Sequence, residues 1–125
     1  MMKMGECLFV RQRKYTIEEL IDDVSMPVVA YAGEAKSFLR EALEHAKVGD
    51  YDKADQMMNE SRMSIERAHE AHRGVIQYSA MKPDSIKIPF ILMHAEDHLM
   101  SVSSELNIFE ELINIYKVID KLNKN

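Results

Sequence analysis

Two histidines and an aspartate are spaced so that they could do chemistry together. His94, Asp97 and His98 are three and four residues apart in an otherwise largely apolar run. On a helix, positions i, i+3 and i+4 lie on one side, so the two imidazoles and the carboxylate would share a face. Polar side chains in an apolar setting need partners, a ligand or a chemical role. An imidazole there could act as a base, a metal ligand or a nucleophile toward phosphorus.

The residue types leave two further interpretations open. Histidine and carboxylate at this spacing are typical of half of a metal site in a helical bundle, but the expected partner pair from another helix is missing. Glu66 and His69 have the Glu-x-x-His spacing, yet they are predicted to lie on a charged face. Alternatively, the histidines are simply hydrogen-bonded where two helices meet. His72 either specifies the register of its helix or lines the site formed by His94.

Composition and charge restrict the class of protein. The chain has 125 residues, of which 46% are hydrophobic, which suits one domain with a core. The net charge of -5 argues against a general nucleic-acid-binding protein. The single cysteine, Cys7, excludes an internal disulfide and fits a reducing cytosol. No apolar run has the length of a membrane span or the features of a signal peptide, so we expect a cytoplasmic protein without membrane insertion.

The first helix is predicted to follow a flexible N-terminal leader. Residues 1–15 show no sustained apolar period, and the capping box formed by Thr16 and Glu19 then marks a helix start. Pro27 interrupts the helical spacing that follows. Either the helix kinks at Pro27 or Ser25 caps a new segment, and we favour the kink.

Two further helices complete a single domain that spans residues 16–125. Gly49 and Asp50 are typical of one helix end followed at once by the next helix start. The second helix is predicted to reach about residue 80 and the third to continue to about residue 122. Because the connections are short, neighbouring helices should be antiparallel, which predicts an all-α, up-down bundle similar to a spectrin repeat.

The third helix carries two stripes at helical spacing. One stripe can pack against the chain's own helices: Leu92, Ala95, Leu99, Val102, Leu106, Phe109, Ile113 and Tyr116. The other is polar at its start and apolar at its end: Ile91, His94, His98, Ser101, Glu105, Ile108, Leu112, Ile115 and Ile119. Three helices cannot easily cover both stripes, so the second stripe predicts an oligomer.

Three stretches of the sequence resemble the lactose/cellobiose-type enzyme IIA of the bacterial sugar phosphotransferase system. Together they span about residues 17–122 in the family's order and spacing, and the third stretch is the most specific. They are Ala32-Gly33-Glu34-Ala35-Lys36-Ser37 with Glu41-Ala42-Leu43; Gly49-Asp50-Tyr51 through Met57-Met58-Asn59-Glu60-Ser61-Arg62-Met63 to Ala68-His69; and Met93-His94-Ala95-Glu96-Asp97-His98-Leu99-Met100.

The resemblance implies a phosphocarrier that assembles as a homotrimer with a nine-helix core. His94 would take a phosphoryl group from the phosphocarrier HPr and pass it to a cysteine of enzyme IIB during uptake of a β-disaccharide. The family's aspartate at the position of Asp97 lies at the trimer axis and binds a divalent cation, for which we expect Mg²⁺. Three carboxylates brought together repel one another unless they are protonated or neutralised by a cation.

The chain departs from the family pattern near the expected site. The family usually has Gln at the position of Glu96, and it usually reads x-x-Gln-Thr where this chain has Glu70-Ala71-His72-Arg73. We expect His98, His72 and Arg73 to hydrogen-bond or balance the phosphoryl oxygens. The alternative hypothesis is a diverged helical oligomer without chemistry, in which the changed residues serve regulation or partner binding.

Overall fold

The protein folds into three long helices connected by short turns. A computed structural model describes residues 14–124, and within that range it contains no strand. The predicted leader lies outside the described residues up to position 13. The predicted all-α, up-down three-helix architecture is confirmed. None of the helices in the described part is both long enough and apolar enough to cross a membrane.

Helix α1 is one continuous helical run with a π-helical segment near its start. It comprises Ile17–Glu19, the π-helical Leu20–Ser25 and Met26–Lys47. At its N-terminus, the Thr16 hydroxyl accepts a hydrogen bond from the Glu19 N–H at 3.1 Å, as the predicted capping box requires.

The π-helical segment explains how α1 accommodates Pro27. Proline has no N–H to donate to the preceding turn, and the wider turn shifts the bonding so that the Met26 N–H reaches back to the Ile21 carbonyl. Ser25 does not cap a new helix; its hydroxyl donates to the Leu20 carbonyl at 2.5 Å. The alternative that Ser25 starts a second segment is therefore wrong.

Helix α2 begins where the sequence predicted. Gly49, with a φ of 79°, ends α1 in the left-handed region that favours glycine, and the Asp50 carboxylate accepts from the Lys53 N–H at 3.3 Å. Helix α2 spans Tyr51–Met81. A short 3₁₀ turn at Pro83–Ser85 follows, and α3 spans Phe90–Asn123.

The core lies along α1, which contacts both other helices more extensively than they contact each other. Small residues on α1 permit this close approach, and the Ser61 hydroxyl of α2 donates to the Ala35 carbonyl of α1 at 2.9 Å. The fully buried residues of α1 beyond the π-helical segment are Val28, Ala32, Ala35, Leu39, Ala42 and Ala46.

The two stripes of α3 have different environments in the single chain. The predicted core stripe is buried or packed against the core throughout its length. In the second stripe, Ile108, Ile115 and Ile119 remain 55%, 53% and 48% exposed. One chain therefore leaves an apolar face uncovered, as the sequence led us to expect, while the trimer itself stays a prediction.

Candidate functional site

The first turn of α3 leaves the positive end of the helix dipole without a countercharge of its own. Pro89 occupies the N-cap position with extended backbone and provides no side-chain cap, and the first turn contains no acidic residue. The first N–H groups of a helix have no acceptor within the helix and carry partial positive charge. The first turn of α3 by itself therefore favours an anion, whereas the charged side chains nearest to His94 along the helix are the carboxylates of Glu96 and Asp97.

His94 and His98 lie side by side on this part of α3. Their ring centroids are 5.6 Å apart with the planes at 76°, an edge-to-face contact. His94 is exposed, whereas His98 is half-buried and its Nδ1 is buried without a hydrogen-bond partner among residues 14–124. The structure thus shows no hydrogen bond that would make this pair a simple structural contact. His94 is accessible to a reagent, and His98 restricts its ring on one side.

Asp97 is exposed and makes neither a hydrogen bond nor an ion pair within the described part of the chain. It lies at the rim of an apolar groove of about 350 Å³ between α2 and the start of α3, which includes Ile88, Met93 and Met100. No group of three or more metal-ligating side chains occurs among residues 14–124. One chain therefore supplies one free carboxylate, whose oxygens suit Mg²⁺ but do not make a site alone.

His72 contacts Glu96, which lies two residues after His94. Its Nδ1 is 2.7 Å and 2.8 Å from the two carboxylate oxygens of Glu96, and its Nε2 is 3.2 Å from Nδ1 of His69. Residues two apart on a helix face different directions, so Glu96 points to α2 while His94 does not. The result is a hydrogen-bonded chain from α3 to α2, which we call the Glu96–His72–His69 network.

Arg73 forms ion pairs with carboxylates of its own helix. Its guanidinium donates to Glu70 at 2.5 Å and lies 3.7 Å from Glu66. Across the described residues, neither His72 nor Arg73 forms a hydrogen bond with His94. Their expected contact with the phosphoryl oxygens stays a prediction, and the single chain brings only His98 directly to His94.

Comparison with known proteins identifies the family. The family described as "PTS system, Lactose/Cellobiose specific IIA subunit" matches residues 23–117, well over half of the chain. The chain belongs to this family. Members of this family are phosphotransferase components of sugar uptake, which agrees with the resemblance noted from the three sequence stretches.

Relatives of this IIA family cover most of the chain. The lactose-specific EIIA component of Staphylococcus epidermidis is 38% identical over 90 residues, which span 72% of this chain and 86% of the relative. The N,N'-diacetylchitobiose-specific EIIA component of Escherichia coli K12 is 33% identical over 102 residues, with 82% and 87% covered. The crystal structure of the cellobiose-specific enzyme IIA of Bacillus anthracis is 31% identical, with a TM-score of 0.75, and the match covers 86% of this chain and 94% of that one.

The network is the part of this IIA site that the sequence did not predict. Glu96 and His72 each depart from the family pattern, but nothing in the sequence establishes that they are in contact. One feature could have indicated it: Glu96 is two residues from His94 and so faces a different neighbour, while His69 and His72 are one helical turn apart.

Proposed function

We propose that this chain is the phosphocarrier of a sugar phosphotransferase system, with His94 as the residue that carries the phosphoryl group. The donor is phosphorylated HPr and the acceptor is a cysteine of enzyme IIB, in the cytoplasm, during uptake of a β-disaccharide of the lactose, cellobiose or chitobiose class. The single observation that carries the proposal is an exposed His94 near the start of α3, in a chain of the IIA family.

The chemistry requires an unprotonated ring nitrogen on His94. Its lone pair forms a nitrogen–phosphorus bond as the corresponding bond in the phosphohistidine of HPr breaks, and the electron pair of the broken bond returns to the donor imidazole. In the second step the thiolate of enzyme IIB attacks phosphorus, and the bond to His94 breaks. Because the phosphoryl group changes partner without redox chemistry, the protein contributes mainly position and charge.

The surroundings of His94 support both contributions. The positive end of α3 favours the added negative charge, by about 0.3–1 kcal/mol for an exposed group. The ring of His98 lies edge-to-face at 5.6 Å and limits the orientations available to His94. Its buried, unpaired Nδ1 is a hydrogen-bonding group that the single chain leaves unused.

We further propose that three chains assemble through the second stripe of α3 and bring three copies of Asp97 to a common axis. Carboxylate oxygens are the ligands that Mg²⁺ prefers, and the free carboxylate of Asp97 fits that role. The cation would neutralise mutual repulsion of the carboxylates and so hold the start of α3 in the assembly. The transfer steps themselves use His94 and the partner proteins.

Incubation with phosphorylated HPr tests the carrier role of His94. We expect about one acid-labile phosphate per chain, lost completely in His94→Gln, which keeps the size and hydrogen bonding of the side chain without a nucleophilic nitrogen. His45→Gln is the matched control, because His45 is a half-buried histidine near the C-terminal end of α1. This variant should be labelled as well as the parent. We expect His98→Gln to retain part of the transfer.

Labelling of His94→Gln to the level of the parent would overturn the assignment and make His98 or His72 the next candidate. If the parent accepts no phosphate from any HPr, the alternative of a non-catalytic, partner-binding oligomer is favoured. Labelling confined to His94 excludes that alternative.

A further inference from the structure

The Glu96–His72–His69 network lies outside the transfer steps proposed above. Nε2 of His72 and Nδ1 of His69 are 3.2 Å apart, and Nδ1 of His72 lies 2.7 Å and 2.8 Å from the carboxylate oxygens of Glu96. We propose that the two imidazoles bind one divalent transition-metal ion of the class that prefers nitrogen ligands, represented by Zn²⁺, and that Glu96 orients His72 for this role. The inference goes beyond the carrier function and does not depend on His94.

The spacing of the two imidazole nitrogens resembles that of two ligands of one ion. Zn²⁺ binds imidazole nitrogen at about 2.0–2.1 Å in tetrahedral geometry, so two of its nitrogen ligands lie about 3.3–3.4 Å from each other. The distance of 3.2 Å between Nε2 of His72 and Nδ1 of His69 is close to that value. The ring planes are 48° apart, so the rings are not stacked face to face. Only a small movement of either ring is needed to direct both nitrogens at one ion.

The carboxylate of Glu96 selects the form of His72 that can bind a metal. A carboxylate only accepts hydrogen bonds, so Nδ1 of His72 carries the ring hydrogen and Nε2 presents its lone pair. Metal-binding histidines almost always donate the other ring N–H to such a partner, which fixes the ring and makes the binding nitrogen more basic. His69 binds the ion in the neutral form that carries its hydrogen on Nε2, so both rings are neutral ligands.

The surroundings of the two histidines give access to a cation and attract it. Both rings are half-buried and line an open groove between α2 and α3, which also includes Glu66, Arg73 and Glu96. Arg73 is paired with Glu70 and lies 3.7 Å from Glu66. Three carboxylates therefore surround the histidine pair against one guanidinium, and this excess of negative charge favours a cation in the groove.

The donor set selects the class of ion. Among residues 14–124, no third histidine, cysteine or carboxylate is placed to share an ion with this pair, so water would complete the coordination. Imidazole suits Zn²⁺, Cu²⁺ and Ni²⁺, whereas Mg²⁺ prefers oxygen ligands and keeps several waters. The histidine pair is therefore chemically distinct from the Mg²⁺ site proposed for Asp97, and the two can be tested separately.

Calorimetric titration of the full chain with Zn²⁺ tests the site, with excess Mg²⁺ present and any purification tag removed. We expect about one Zn²⁺ per chain, and an affinity lowered about tenfold or more in His69→Gln and in His72→Gln, since each loses an imidazole ligand. Glu96→Gln keeps an acceptor for His72 but loses the charge, and it should weaken binding about tenfold. Glu60→Gln replaces a half-buried glutamate elsewhere on α2 and should bind as the parent does.

The other soft or nitrogen ligands of the chain provide the competing outcome. His94 and His98 form a second pair with ring centroids 5.6 Å apart, and Cys7 is the single thiol. The double variant His94→Gln with His98→Gln, and the variant Cys7→Ser, should both keep the Zn²⁺ affinity of the parent. Loss of binding in either of them, with His69→Gln unaffected, would overturn the proposed site.

Imidazole nitrogen NMR separates a metal site from a plain hydrogen bond between the two rings. Saturating Zn²⁺ should shift the ring nitrogens of His69 and His72, preserve the Nδ1 hydrogen of His72 and leave His45 unchanged. Unshifted rings, or equal Zn²⁺ affinity in Glu96→Gln and the parent, would overturn the site and leave adventitious binding only. Neither outcome affects the carrier function, which is tested by the labelling of His94.

Discussion

The two halves of α3 differ in the kind of side chain that they leave exposed. In the half that begins at Phe90, His94 and Asp97 are exposed and polar, and Nδ1 of His98 is buried without a partner in the described chain. In the half that ends at Asn123, ion pairs join α3 to α2 on one flank, while the exposed stripe is apolar. The first half leaves reactive groups accessible, and the second half leaves a surface that needs covering.

Energetic magnitudes show which of these features matters for assembly. The pair of Arg62 with Glu110 is 2.9 Å long and that of Lys117 with Asp55 is 3.1 Å, but exposed pairs of this kind contribute only about 0.2–1 kcal/mol each. Full burial of one large aliphatic side chain contributes about 1.5–3 kcal/mol. Burial of the uncovered stripe therefore offers the larger stabilising free energy. It would stabilise the assembly more than the two ion pairs stabilise the chain.

The largest expected effect is on the apolar half. Replacing Ile108 with Asp should dissociate the proposed trimer, because a buried and unpaired charge costs on the order of several kcal/mol. Light scattering at micromolar concentration measures the mass directly. Asn107→Asp adds a charge at the exposed neighbouring position, away from the stripe, and should leave the assembly intact. A parent chain that is a stable monomer would contradict the proposed division of α3.

The next largest expected effect is the response of thermal stability to Mg²⁺, which depends on Asp97 in the polar half of α3. If three copies of Asp97 share a cation, Mg²⁺ should raise the melting temperature of the parent and a chelator should lower it. Binding to the folded state alone contributes about 2.7 kcal/mol when the free ion is a hundredfold above its dissociation constant.

An Asp97→Leu variant should remain a trimer and lose this response, since it replaces a repelling ring of carboxylates by apolar contact. Asp22→Leu, another exposed aspartate, should keep the Mg²⁺ response. A trimeric parent that is indifferent to Mg²⁺ would argue against the axial cation and leave the apolar stripe as the sole determinant of assembly.

Sequence reasoning succeeded where a local rule decides the structure. The helix boundaries lie at the predicted residues: Gly49 ends α1, and Thr16 and Asp50 cap the starts of α1 and α2. The core stripe of α3 follows from apolar spacing alone. The π-helical segment before Pro27 was not predicted, because the sequence shows that proline disturbs a helix but not how the chain absorbs the disturbance.

The candidate site shows the same limit at longer range. The i, i+4 rule placed His94 beside His98, since both lie on one helix. The contact between His72 and Glu96 depends on how α2 and α3 are rotated against each other, which the sequence pattern does not specify. Predictions within one helix were therefore more successful than predictions between helices.

The smallest expected effect concerns how much a polar contact of Tyr51 stabilises the apolar half of α3 against the rest of the bundle. The Tyr51 hydroxyl donates to the Tyr116 carbonyl at 3.1 Å. Burial raises the pKa of Tyr51 above its ordinary value of 10.0, and the negative charge of Asp120 acts in the same direction. The folded chain therefore holds the phenol proton more tightly than the unfolded chain does.

The sign of the resulting pH effect follows from this difference. The contribution of Tyr51 to stability is complete below pH 10 and is lost as the pH rises through the raised pKa of the folded state. Denaturation by urea at a series of pH values above 9 should show this decline in the parent and a weaker one in Tyr51→Phe. Asp120→Asn, which removes the charge but keeps an acceptor, should give an intermediate slope. Equal slopes in all three chains would mean that neither the hydroxyl of Tyr51 nor the charge of Asp120 contributes to the stability of this end of α3.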